Sequence, residues 1–392
     1  MKKFGLSLLL ILTSLLTITA QEVDGIYYLF NEELGEAVVT YRGAEEEDGW
    51  MYFSASELYV DDVVIPAEVT YNGKSYSVTG IGTNAFAGSK YLTSLSLPST
   101  ITYFGEDVFP LCQSLHTILV DENNPHYFVY SGVLYSRNPD AIFYVPRALS
   151  GMVEILDGVK EIPSTAFNLC SFVEQVVIPN SVQTIKDGAF FRCTSLTDVT
   201  IGSGVTSIMR DAFSDCTSLE VIKIPSNVKT IGGSAFSGCT NLFYLILNEG
   251  LETIDSYAFY GCSSIFSVLL PSSLKSIGEK AFYDCVSLSS VLNESPLEIE
   301  LGSESNGYVA YYANEILTTD ILEVGVVEGQ IVAEKSALRF FYMENRTIEV
   351  FDIVGNCVYR GVVPHEDFSL GELKSGVYLV NHSGMVEKVL LK

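Results

Sequence analysis

Cys216-Thr217-Ser218-Leu219-Glu220-Val221-Ile222-Lys223-Ile224-Pro225-Ser226-Asn227-Val228-Lys229-Thr230-Ile231-Gly232-Gly233-Ser234-Ala235-Phe236 is one unit of a pattern that recurs along the chain. Its Leu-x-x-Ile-x-Ile stretch alternates at the end, as a short half-buried strand does. Pro225 stops that strand because it has no N–H to donate to a ladder. Val228, Ile231, Ala235 and Phe236 then supply the apolar side of a return path. Working outward, Phe167, Phe190, Phe213, Phe236, Phe259 and Phe282 stand 23 residues apart, each preceded by Ala and followed three residues later by Cys. Phe86 and Phe109 form a further pair at that step. A fixed period of this size predicts a mainly β solenoid, whose units are too small to bury their own apolar faces and must stack. Extended surfaces of this kind bind; catalysis would need evidence of its own.

The cysteines follow the same rhythm. Cys112, Cys170, Cys193, Cys216, Cys239, Cys262 and Cys285 share one repeat position, which Ser89 fills in the first unit. Stacking places them in a parallel column at roughly 4.8 Å steps. Parallel Cβ vectors at that spacing lie farther apart than the ~3.8 Å a disulfide prefers. A straight line of ligands also cannot make a zinc tetrahedron. The column therefore reads as small buried thiols beside the buried phenylalanines.

Either side of the repeats the chain changes character. Met1 to Ala20 has a basic start, an apolar centre and small residues before Gln21, the marks of a secretory signal peptide. Residues 21–75 are expected to form a β cap, with Asp24 to Leu29 and Val63 to Pro66 as strands and Tyr71-Asn72-Gly73-Lys74 as a hairpin turn. The solenoid then occupies 76–292. Phe109 and Phe167 stand 58 residues apart, two periods plus twelve. The excess falls in about 121–150, where Tyr127 to Tyr130, Val133 to Tyr135 and Ile142 to Val145 predict a hairpin insertion. It is either a structural elaboration or a tyrosine-rich contact ridge. Residues 293–320 lose the period and read as a linker, and 321–392 read as a small antiparallel β-sandwich.

With 22 basic and 48 acidic residues the chain carries a formal charge of −26. Such a surface repels nucleic acid and anionic lipid, so neither is expected as a partner. No calcium-loop spacing accompanies the acidic run Glu45 to Asp48, no Gly-x-Ser-x-Gly elbow is present, and His365-Glu366 lacks a second His at metalloprotease spacing. Gly82 to Lys90 is out of phosphate-loop spacing and falls in repeat register. His116 and His126 sit on a strand surface and in the insertion, and His382 lies near the C terminus. No catalytic residue, cofactor or metal site is expected, and the chain is not read as an enzyme.

Ile277-Gly278-Glu279-Lys280-Ala281-Phe282-Tyr283-Asp284-Cys285 resembles, residue for residue, the first half of the BspA-like or treponemal-type leucine-rich repeat. Asn124 to Ser136 is similar to an insertion common in that family, and the resemblance extends over about Asp24 to Val291. It implies a right-handed ladder of leucine-rich repeats on an exported bacterial surface protein. The implied partners are host extracellular proteins, other bacterial surface proteins or glycans, and the family imposes no particular ligand. The tail resembles the sorting domain of the type IX secretion system. Val350 to Gly355 matches its central strand and turn, Leu373 to Tyr378 its penultimate motif, and Lys388 to Lys392 its ending. That resemblance implies a Bacteroidota-type exporter as a further partner.

One patch stands out on the strand face. Residues between the inward Leu and Ile positions should point outward. Early repeats place Thr93, Ser94, Ser96, Thr197, Asp198 and Thr200 there. Later repeats place Phe243, Tyr244, Ile246, Phe266 and Leu269, joined by Leu292. The late set is either a ligand-binding patch or a dock for the C-terminal region or linker. The reading that follows is an adhesin or protein-binding module, with surface glycan or peptide capture as the second.

Overall fold

In a computed structural model the described residues are 20–41, 44–47, 50–53, 58–137 and 141–317, together with strand segments between 331 and 391. The expected signal peptide lies almost wholly outside them. Two compact units divide the chain, Met1–Leu149 and Ser150–Lys392. Among the described residues every regular element is a strand except one 3-10 turn, Asn306–Tyr308.

In the first unit, Ile26–Asn31 and Glu36–Val39 pair antiparallel, and Glu36–Val39 runs parallel to Lys74–Ile81. Asn72 and Gly73 both have positive φ, 49° and 75°, closing the Glu68–Tyr71 hairpin as their sequence predicts. Val60–Val64 is already in parallel register with Tyr91–Leu97, which in turn pairs with Thr117–Val120. The expected cap thus includes a strand that belongs to the repeat sheet. The insertion is a three-stranded antiparallel meander of Tyr127–Tyr130, Val133–Ser136 and Ala141–Tyr144. Asn124 roots it: its buried side chain donates to the carbonyls of Pro98 and Ile101 at 3.1 and 2.9 Å. It also accepts from the N–H groups of His126 and Tyr127 at 2.8 and 2.9 Å.

The second unit is built from coils with two parallel ladders. One runs through Ser150–Glu154, Phe172–Ile178, Asp198–Ile201, Val221–Ile224 and Tyr244–Leu247, and resumes through Ser267–Leu270, Ser290–Asn293 and Glu315–Leu317. The other joins six two-residue strands, from Glu161–Ile162 to Ser276–Ile277. Between the ladders lies the core. Phe167, Phe190, Phe213, Phe236, Phe259 and Phe282 are fully buried, with successive ring centroids 4.7, 4.9, 5.2, 5.3 and 5.2 Å apart. Phe86 and Phe109 repeat the stack in the first unit at 5.7 Å.

Each phenylalanine also fixes its neighbours through the backbone. The Phe190 N–H donates to the Ala212 carbonyl of the next coil at 2.7 Å, and the Phe213 N–H to Ala235 at the same distance. The cysteines complete the network as the column predicts: all seven are free and buried. Cys193, Cys216, Cys239, Cys262 and Cys285 donate Sγ–H to the carbonyls of Phe167, Phe190, Phe213, Phe236 and Phe259 at 3.1–3.2 Å. Cys112 does the same to Phe86. A thiol is small enough for the column and still supplies the donor that a buried carbonyl needs. The turn before each cysteine requires a left-handed residue, at Leu111, Leu169, Arg192, Asp215 and Asp284 in the coils without glycine there.

Residues 293–317 are not a linker. The Glu294 N–H bonds the Leu270 carbonyl, the Phe282 N–H bonds the Gly307 carbonyl, and Glu315–Leu317 continues the ladder on Ser290–Asn293. This is one more coil, closed by buried Val309 and Ala310 in place of the Phe and Cys pair. Further on, the backbone forms two antiparallel sheets. One contains Ile331–Glu334, Ala337–Phe341 and Asp367–Leu370; the other contains Cys357–Val362, Thr347–Asp352, Gly376–His382 and Met385–Leu391. Leu373, Lys374, Ser375 and Lys392, which carry part of the C-terminal resemblance, lie outside the described residues.

Candidate binding face

Each strand of the repeat ladder sends alternate residues away from the core. In the second unit these are the residues eight and ten places after each phenylalanine: Gln175 and Val177, Asp198 and Thr200, Val221 and Lys223. They continue through Tyr244 and Ile246, Ser267 and Leu269, and Ser290 and Leu292, with register fixed by pairs such as Tyr244 with Val221 and Ile246 with Lys223. This register places Tyr244, Ile246 and Leu269 at outward strand positions, while Phe243 and Phe266 stand immediately before the Tyr244–Leu247 and Ser267–Leu270 strands.

Their surroundings differ along the ladder. Gln175, Asp198, Thr200 and Lys223 are exposed, as are Met152 at 53% and Phe172 at 55%. From Tyr244 onward the same positions close. Tyr244 is 5% exposed, Ile246 8%, Ser290 8% and Leu292 6%, while Phe243, Phe266 and Leu269 are half-buried. Alternation puts Tyr244, Ile246 and Leu269 in the outward rows, and most of the late positions of those rows are buried.

The open stretch is polar and acidic. Glu154, Glu174, Asp198 and Glu220 are exposed along it, with Lys223 the one basic residue at the outward strand positions. In the first unit Thr93 and Ser94 donate to the Asp62 carboxylate at 2.9 and 2.6 Å, which holds that carboxyl below its ordinary range. None of these groups is arranged for catalysis. The thiols are inert: burial pushes Cys112 and Cys285 from 9.0 up to about 12 and raises Cys193, Cys239 and Cys262 as well. His116 Nδ1 bonds the adjacent Thr117 hydroxyl at 2.8 Å, and His126 packs near Tyr127. Among the described residues no three His, Cys, Asp or Glu side chains group as a metal site would.

A second surface feature lies at the return turns of the last coils. Tyr260 stacks on Tyr283 at 5.6 Å, Tyr308 meets Tyr283 edge-on at 5.1 Å, and Tyr311 lies 5.2 Å from Tyr308. Tyr260 is 36% exposed and Tyr311 40%. The Glu304 carboxylate, hydrogen-bonded to Tyr308, raises that phenol above its ordinary value, and burial adds to the shift. Sequence reasoning missed this array. Its signal was present in the repeated Phe259-Tyr260 and Phe282-Tyr283 pairs, but Tyr308 and Tyr311 sit in a coil whose period is lost.

The model of the "BspA type leucine rich repeat region" matches the chain in 6 copies, over residues 67–131 and 154–296. No curated protein matches it in sequence. Among solved structures, a leucine-rich cell surface protein from Faecalibacterium prausnitzii is 19% identical; the match covers 75% of this chain and 98% of the other, with a TM-score of 0.36. A leucine-rich repeat protein from Eubacterium ventriosum is 20% identical over 63% of this chain and 68% of its own, with a TM-score of 0.46. One from Bacteroides ovatus is 23% identical over 76% of each, with a TM-score of 0.41.

Proposed function

We propose that this chain, which belongs to the BspA type leucine-rich repeat family, is an exported surface adhesin that holds a partner protein against the open part of its strand face. The observation that carries this reading is the pairing of two exposed apolar side chains, Met152 and Phe172, with a rim of Glu154, Glu174, Asp198 and Glu220 on hydrogen-bonded neighbouring strands. Apolar anchors within a polar rim are the usual anatomy of a protein interface. Four carboxylates against one lysine, on a chain of net charge −26, select a partner with a basic surface. Of the residues first proposed from sequence, Phe243 follows Glu220 by one coil, Phe266 and Leu269 are half-buried one coil further on, and Tyr244 and Ile246 are buried.

The test is to immobilise the chain from Gln21 and measure binding to a panel of extracellular-matrix proteins. A folded variant with Met152→Ser and Phe172→Ser is run beside it, and so is one with Phe243→Ser and Phe266→Ser. Saturable, salt-sensitive binding lost in the first variant supports the reading. Binding that both variants retain moves the site off the strand face. A second reading, glycan capture, rests on the tyrosine array, since exposed aromatic rings give sugars a surface to pack on. It requires competition by free oligosaccharides and loss of binding with Tyr260→Ala plus Tyr311→Ala. Export through a type IX-type machinery addressed by residues 321–392 belongs to the same proposal. Deleting that segment in the native host should leave the protein inside the cell envelope.

A further inference from the structure

The repeat ladder of each unit opens on a strand built in the same way. Val60–Val64 runs parallel to Tyr91–Leu97, and the register slips by one residue between Asp61 and Asp62. Ser150–Glu154 runs parallel to Phe172–Ile178, and the register slips between Gly151 and Met152. The residue before each slip is left-handed, with φ of 54° at Asp61 and 77° at Gly151. A bulge of this kind re-aims the side chain that follows it. Asp62 comes to stand opposite Ser94, as Met152 stands opposite Gln175. The construction that presents Met152 and Phe172 in the second unit therefore presents Asp62 and Tyr91 in the first.

The surroundings of Asp62 are apolar. Val60 pairs with Tyr91, and Val64 pairs with Ser96, which pairs in turn with Leu119. Val60, Tyr91, Val64 and Leu119 are 47, 59, 67 and 57% exposed. Tyr91 belongs to the middle strand of the three, so its exposure is not that of a sheet edge. Val60 and Val64 lie about 13 Å apart along their strand, with Asp62 between them. The Thr93 and Ser94 hydroxyls both donate to Asp62 Oδ1, at 2.9 and 2.6 Å, which fixes the carboxylate and keeps it charged. Among the described residues Oδ2 accepts no hydrogen bond. The ring beside it already holds a cation, since the Lys90 ammonium sits 4.8 Å from the Tyr91 centroid. His116 is the other titratable neighbour of Asp62, and Ser94, Ser96 and Thr117 on the same face are uncharged. A contiguous exposed apolar patch marks an interaction site. Around a carboxylate, on a chain of net charge −26, its complement is a cationic side chain carried between apolar ones. A guanidinium suits it better than an ammonium, because a planar fork can bond Oδ2 and lie on the Tyr91 ring together.

We propose that the opening of the first ladder is a second docking site, separate from Met152 and Phe172, which takes an arginine carried between apolar side chains on a partner protein. The guanidinium bonds Asp62 Oδ2 and lies over the Tyr91 ring, and the flanking side chains pack on Val64 and Leu119. The site stands whether or not the strands of the second unit hold a partner.

The test selects a phage-displayed library of random ten-residue peptides on the full chain from Gln21, then measures synthetic copies of the enriched peptides against variants. Peptides with an arginine between apolar residues should be enriched, and should bind Asp62→Asn at least tenfold more weakly than the parent chain. The asparagine oxygen still accepts from Thr93 and Ser94, so the urea midpoint of that variant should not move. Tyr91→Ser combined with Val64→Ser should weaken the same peptides at least tenfold, and Met152→Ser combined with Phe172→Ser should leave them unchanged. Replacing the peptide arginine by glutamine should cost the same tenfold, which checks the contact without altering the protein. The proposal is overturned if no enriched peptide depends on Asp62, or if those that do lack arginine or lose their binding with the Met152 and Phe172 changes. Failure of the matrix-protein assay leaves these results unchanged, so the two readings fail separately.

Discussion

Leu119 and Ile246 hold the same place in the coil, ten residues after a stacked phenylalanine, yet one is 57% exposed and the other 8%. The comparison shows what a repeat specifies and what it leaves open. Period and alternation fix direction: both side chains leave the core on the strand face. Environment is not fixed by the period: along the ladder of the second unit the same outward position passes from exposed Thr200 and Lys223 to buried Ile246, which packs in a cluster with Tyr244, Val221 and Phe243.

The largest expected effect checks that the open and closed parts share one core. Phe213→Ala, under the open strands, and Phe259→Ala, under the closed ones, should each cost about 3–5 kcal/mol in urea unfolding. Unequal costs would mean that the difference begins in the stack rather than on the face. Next, Ile246→Ser should lose about 2–4 kcal/mol, while Leu119→Ser stays within about 0.5. Equal losses would erase the comparison.

Alkaline pH probes the thiols that lie beneath both parts. A cysteine in the unfolded chain ionises above its ordinary value of 9.0, whereas folded Cys112 and Cys285 resist until about 12. Their contribution is therefore complete below pH 9 and is lost as pH rises from 9 to 12. Each thiol should remove about 1.4 kcal/mol per pH unit in that window. Cys112→Ala and Cys285→Ala should flatten the alkaline limb equally, and a flattening in only one unit would break the symmetry. The smallest effect belongs to the Arg192–Asp215 ion pair on the return side, 3.1 Å long with both side chains largely exposed. Arg192→Ala should cost about 0.2–1 kcal/mol, reduced further by salt.

The period made most of the architecture legible. The Phe and Cys columns, the Pro225 stop, the Asn72-Gly73 turn and the three insertion strands could all be read because each is a local or strictly periodic signal. The final coil was not legible. Gly307, Val309 and Ala310 fill its interior without an Ala-Phe-x-x-Cys motif, so a search by pattern takes it for a linker. Asn124 was hidden for a different reason: besides two local bonds to His126 and Tyr127, its amide donates back across a whole coil to the Pro98 and Ile101 carbonyls, and no sequence spacing announces those two. The candidate face was half legible. Alternation identified the outward rows, but how deeply each outward residue is buried is a tertiary fact.

From Phe167 to Phe259 the described bonds of the core columns join nearest-neighbour coils: a phenylalanine N–H reaches forward to the next alanine carbonyl, and a cysteine thiol reaches back to the previous phenylalanine carbonyl. A coil duplicated in frame carries its own donors and acceptors, and a coil lost in frame takes both away together. Copy number is therefore something that unequal recombination between the repeated codons can change in a single event without leaving a polar group orphaned. Each such event would shift the last coil, and whatever it carries, by one strand spacing along the ladder. Lineages could in this way retune the length of open face they display before any contact residue mutates.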